Sequence, residues 1–141
     1  MPYTATVIHL QIKTAAGAPM KPVPSVTAVA GYGLKDDANA GRNKRQVLII
    51  ERELLDEFQL PTGDVRENIT VQGIRLAGMA PGTRVRVGRA LLEATLDCAP
   101  CQFIEDKRPG LRAMMEGKRG TLFKVIQGGE ITVGDTIEVS A

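Results

Sequence analysis

The sequence has no tryptophan, one histidine and two cysteines, and aromatic residues make up only 4% of its 141 positions. So few aromatics supply poor platforms for stacking nucleic-acid bases. The formal net charge of +2 is also too small to draw in a polyanion by electrostatics alone, so nucleic acid is not an expected partner. Two cysteines cannot build the disulfide framework of a small secreted domain. No apolar run approaches the roughly 18 residues that a membrane-spanning helix needs. The opening stretch, residues 1–13, lacks a basic segment followed by a long apolar core, so it does not read as a secretory signal. The expectation is a cytoplasmic, reducing location with no membrane attachment.

What is present is ordinary for a globular chain: 43% hydrophobic and 24% charged residues. The length fits one domain, residues 1–141. Ile8, Leu10 and Ile12 alternate with His9, Gln11 and Lys13, which predicts a strand with one buried face and an exposed His9. Further strands are expected at 25–31, 46–50, 68–71, 74–76, 83–87, 90–96, 122–126 and 136–139. Gly128-Gly129 and Gly134-Asp135 read as turns holding a last hairpin. The clearest helix covers 51–58, with Leu54, Leu55 and Phe58 on one face, acids early and Pro61 beyond its end. A second short helix is expected over 111–116. Many short strands separated by turn residues predict a mainly β protein, a compact barrel or sandwich with one or two short helices.

Cys98-Ala99-Pro100-Cys101 is the motif with the most chemistry in it. It admits four readings: two incidental thiols, half of a zinc site, a dithiol redox pair, or a thiolate that ligates a soft metal or carries sulfur. Zinc wants four nitrogen or sulfur ligands, or three and a water, and His9 is the only other strong soft ligand. A thioredoxin-like pair wants a helix after the first cysteine within a βαβ unit. Residues 102–110 allow at most two helical turns. A thiolate wants positive charge nearby, and Lys107, Arg108, Arg112, Lys118 and Arg119 follow closely. Such a run also suits a solvated basic face, so the residues alone leave these readings open.

Four motifs occur in an order that resembles the MOSC family, named for the C-terminal domain of molybdenum cofactor sulfurase. Residues 33–41, GLKDDANAG, are similar to the family's G-L-x-G-D-x-H/N-x-G loop. Glu67-Asn68-Ile69-Thr70 matches E-N-I/L-T, and Pro100-Cys101 matches the P-C that carries the family's cysteine. Arg119-Gly120, followed by residues 128–135, GGEITVGD, resembles the terminal G-G-x-I-x-x-G-D stretch. The resemblance implies a MOSC-type β-barrel and a small stand-alone member of the family. It implies binding of a molybdenum–pterin cofactor, sulfur-carrier chemistry through a persulfide, or reduction of N-hydroxylated compounds, with pyridoxal phosphate binding as a further association. A molybdenum-dependent oxidoreductase and a sulfur-transfer protein are both compatible with it. The implied partner is a sulfur donor or a redox protein. Alternatives are a sulfur-relay or partner-binding module that never holds metal, and a thiol redox protein.

The resemblance gives Cys101 the role of metal ligand or sulfur carrier and gives Cys98 no essential part. Asp37, Asn39 and Asn68 fall in matched motifs and are candidate cofactor contacts, although such side chains also cap turns. Arg42, Arg45 and Arg119 are candidate anion contacts by charge. Asp36 stands where the family has glycine, which implies a left-handed backbone there, a conformation that Asp tolerates better than most residues. A carboxylate at that point is expected to repel an anionic cofactor.

Overall fold

The computed structural model describes residues 5–140. Seven strands close into a barrel in the order β11-β7-β8-β9-β5-β6-β1, with β1 pairing back onto β11. In chain order these are β1 (Ala5–Lys13), β5 (Val47–Glu51), β6 (Ile69–Gln72), β7 (Arg84–Val87), β8 (Ala90–Asp97), β9 (Thr121–Gln127) and β11 (Thr136–Val139). All barrel pairings are antiparallel except β5–β6. That parallel pair requires a crossover, supplied by α1 (Arg52–Glu57) and the turns after it. β2 (Met20–Pro22) extends the sheet beside β1. A separate three-stranded sheet, ordered β10-β3-β4, is formed by β3 (Ser25–Val29), β4 (Gly33–Leu34) and β10 (Gly129–Thr132).

Two apolar clusters hold these parts. The barrel strands turn Val7, Leu10, Val47, Ile49, Val71, Val87, Leu92, Phe123 and Ile137 inward, and the small sheet adds Val26, Ala28, Leu34 and Ile131 to the same core. A second cluster lies under the helices, where Ile50, Leu55 and Phe58 meet Ile104 of α2 (Gln102–Glu105) and Leu111 of α3 (Leu111–Met114). Burial of one medium apolar side chain contributes about 1.5–3 kcal/mol, so Ile104 and Leu111 fix the segment that follows the cysteines.

The mainly β barrel is therefore as expected, and the described residues form three short helices where one or two were expected. Several local expectations are corrected. A bulge between Val7 and His9 shifts the register of β1. Val7 and Leu10 point inward, while Ile8 drops out of the core. His9 is half-buried rather than exposed, with Nε2 3.1 Å from Gln11 Oε1. Residues 74–76 form no strand; Leu76 instead gives its N–H to Glu51 Oε2. Residue 51 ends β5, and the helix starts at Arg52. The last two strands do not form a hairpin. β10 leaves the barrel to pair with β3, while β11 pairs with β1 and β7. Gly128 and Gly129 let the chain cross between sheets: a Cβ on them would sit 2.7 Å from Ala28 O and 2.6 Å from Arg89 O.

Candidate functional site

Cys101 is exposed and is the residue from which α2 starts, its carbonyl accepting the N–H groups of Ile104 and Glu105. Cys98 ends the approach from β8 and gives its N–H to Gly120 O at 2.9 Å. Both thiols are free. They face one cleft of about 200 Å³, whose other walls are Lys13, Asn39, Arg42, Arg45, Leu48, Arg66, Phe103, Arg119 and Leu122. Five of these residues are cationic and none is acidic.

Arg119 is the unusual member. It is only 5% exposed, and its Nε and Nη1 have no hydrogen-bond partner. Burying an unpaired guanidinium is costly, and native structures seldom leave such groups unmatched. The local chain enforces the placement. The next residue, Gly120, has φ +120° and packs against Leu48 and Ile49 of β5, a backbone conformation that residues with side chains rarely adopt.

Arg66 is also held in an uncommon way, with φ +61°, a left-handed backbone that non-glycine residues keep only where their surroundings impose it. Its guanidinium lies 4.3 Å from the centroid of the Phe103 ring, and Lys107 Nζ lies 4.5 Å from the same ring. A neighbouring depression of about 460 Å³ shares Arg66 and Phe103 with the cleft and reaches His9.

The loop that carries Asn39, Arg42 and Arg45 is pinned from beneath. Asp37, 5% exposed, accepts the N–H of Lys13 on Oδ1 at 2.7 Å and that of Asn39 on Oδ2 at 3.2 Å. Asn68 is fully buried; its Nδ2 donates to Asp37 Oδ1 at 3.1 Å and its Oδ1 accepts the N–H of Leu48 at 3.0 Å. Buried Gln46 donates to Arg42 O at 2.8 Å and accepts from Val125 N at 2.9 Å. Asp37 and Asn68 thus lie behind the cleft wall and join β1, β5 and the loop. Cys101, Asn39, Arg42, Arg45 and Arg119 are brought together at the surface of the cleft.

Sequence reasoning missed Lys13, Arg66, Phe103 and Gln46. Arg66 directly precedes the Glu67-Asn68 motif, which was the one available signal. The basic run after the cysteines is largely spent elsewhere. Lys107 pairs with Asp64, Lys118 with Glu57, and Arg108 donates to Phe58 O. Asp36 has φ +67°, as expected from the glycine it replaces. Its carboxylate, however, lines a different depression beside Lys21 and Lys35, so the expected repulsion of a ligand beside Cys101 does not apply.

A model of the MOSC domain matches residues 36–138. The chain belongs to the MOSC-domain family. Its fold is shared by solved structures. The YuaD protein of Bacillus subtilis superposes with a TM-score of 0.78 at 22% identity, covering 96% of this chain and 95% of that one. YiiM from Geobacillus stearothermophilus gives 0.75 at 19% identity, over 97% and 75% of the two chains. YiiM from Escherichia coli gives 0.73 at 21%, over 99% and 71%. No curated protein matches the sequence. No helix among the described residues is long and apolar enough to cross a membrane.

The donor set of this MOSC domain restricts what the cleft can hold. Among the described residues no three His, Cys, Asp or Glu side chains converge. A bare metal ion, which needs four or more ligands, would find too few. A metal that arrives inside an anionic cofactor needs only one protein thiolate, and the cationic walls suit the cofactor's phosphate. The residues present fit a molybdenum–pterin group in kind.

Proposed function

We propose that this MOSC domain binds an anionic molybdenum–pterin cofactor at the cleft, with Arg119 matching the anion and the Cys101 thiolate facing the metal. The observation that carries this reading is the buried, unpartnered guanidinium of Arg119 beside an exposed thiol, in a cleft with no carboxylate in its walls. Arg42, Arg45, Arg66 and Lys13, in the same walls, add long-range attraction for an anion. At about 200 Å³ the cleft is smaller than the roughly 300–1,000 Å³ pockets that enclose a whole ligand, so it grips one end of such a molecule. When bound, the group supplies two-electron oxo-transfer chemistry. The chain's own part is to hold the anion, present one soft donor and keep carboxylates away.

A second reading rests on the exposure of Cys101: it carries mobile sulfur. The Cys101 thiolate attacks the outer sulfur of a persulfide donor, R–S–SH. The S–S bond breaks, R–S⁻ leaves, and Cys101 becomes Cys–S–SH. Charge and atoms balance, and the donor is a partner protein or small thiol.

The test is to prepare the protein in cells competent for the cofactor, then measure molybdenum by elemental analysis and persulfide by thiol tagging. Molybdenum near one per chain supports the first reading; persulfide without molybdenum supports the second. Cys101→Ser is expected to remove either load and Cys98→Ser to leave most of it. Equal loss in both variants, with a reversible Cys98–Cys101 disulfide in the wild type, overturns both readings in favour of dithiol chemistry.

A further inference from the structure

At the other end of β5 from Leu48 lies a cavity of about 580 Å³, with no cysteine in its walls. Glu51 lines it and is only 3% exposed. Its Oε2 is held from behind by two backbone amides, Leu76 N at 2.6 Å and Ala77 N at 3.0 Å. Its Oε1 has no hydrogen-bond partner. A buried carboxylate oxygen left without a donor is costly.

Three more carboxylates, Glu53, Glu57 and Glu116, stand at the rim, against the two cations Arg75 and Lys118. Lys118 is already committed to Glu57, at 3.0 Å. The cavity therefore carries an excess of negative charge around one unsatisfied acceptor. Leu54 and Ile74 supply an apolar wall. Its size is in the range that takes a small organic molecule. The absence of any converging trio of His, Cys, Asp or Glu among the described residues argues against a metal ion.

We propose that this cavity is a second binding site, for an organic cation: a protonated amine or guanidinium on an apolar body, whose N–H donates to Glu51 Oε1. The proposal stands independently of the chemistry at Cys101. Phenethylammonium is a suitable probe, with neutral 2-phenylethanol as its control.

The experiment titrates each into the protein while following the backbone amide NMR signals of Leu76 and Ala77, the two groups bonded to Glu51. Saturable shifts of both amides with the ammonium, and none with the alcohol, are expected. Glu51→Gln should weaken binding by about tenfold or more. If that variant does not fold, the wild-type preference for cation over alcohol still decides. Arg75→Ala should tighten binding, by removing from the wall a cation that competes with the ligand for the carboxylates. Equal response to both probes, or no saturable response, overturns the proposal. So does a response to Mg²⁺ alone at the same two amides, which would make the site a metal site.

Discussion

Arg119 concentrates the tension between stability and binding in one side chain. Its buried Nε and Nη1 lack partners, so replacing it with an apolar side chain of similar length removes a desolvation cost. Arg119→Met is expected to raise stability by about 1–2 kcal/mol while abolishing affinity for phosphate-bearing ligands. Urea denaturation paired with phosphate titration checks both halves, and a destabilised variant would show that the guanidinium has a structural partner after all. Asn68→Ala should act in the opposite sense. It strands the buried Leu48 N–H and takes from Asp37 Oδ1 one of its two donors, at a cost of about 3 kcal/mol. Asp36, with φ +67°, gives a third case. Glycine relieves the left-handed strain but loosens the unfolded chain, so Asp36→Gly should gain about 0.5 kcal/mol and Asp36→Ala should lose about as much. Neither should change anion affinity, because the side chain lies outside the cleft. At this scale much of the cleft was legible: Cys101 and Asn39 from motifs, Arg42, Arg45 and Arg119 from charge. Lys13, Arg66 and Phe103 were not, because only the fold carries the end of β1 and the turn before β6 to the cysteines.

Strand pairing explains a charged ladder across three elements. Glu93 of β8 faces Arg84 on β7 and Lys124 on β9, with contacts of 3.1 and 3.4 Å. The Arg84 hydrogen bond, then the Lys124 bond and charge, hold the Glu93 carboxyl below the ordinary glutamate value of 4.5 against an opposing effect of desolvation. A folded pKa below the unfolded one contributes stability that is present above the unfolded value and is lost as pH falls through the folded one. Glu93→Gln should therefore lower the urea midpoint at neutral pH. The gap to wild type should close as pH drops below the glutamate range; a gap independent of pH would show that packing, not charge, accounts for it. Strands such as 90–96 and 122–126 were readable from their apolar runs and turn residues. β2 and β4 were not, at three and two residues long, since such short strands carry almost no periodicity. The alternation in β1 was visible, but the bulge that re-aims Ile8 depends on its partner, β6. Residues 74–76 have the composition of a strand, yet Glu51 claims the Leu76 amide that a ladder would need.

Across the whole molecule, the barrel is closed by its first and last strands: Ala5 lies opposite Ile137 and Thr6 opposite Thr136. Removing residues 136–141 should leave β1 and β7 as open edges, with faster amide exchange along both and a tendency to aggregate; unchanged exchange in β7 would argue against closure. The same feature places a schedule on synthesis. A ribosome adds about 5–20 residues each second, so β1 emerges roughly ten seconds before the strand that completes its hydrogen bonding. Throughout that interval a nascent chain presents an unpaired, largely apolar edge, whereas a full-length chain refolding from denaturant holds both ends from the start. Folding on the ribosome and refolding in the tube are thus different problems for this chain, and only the first gives holding chaperones a window in which to act.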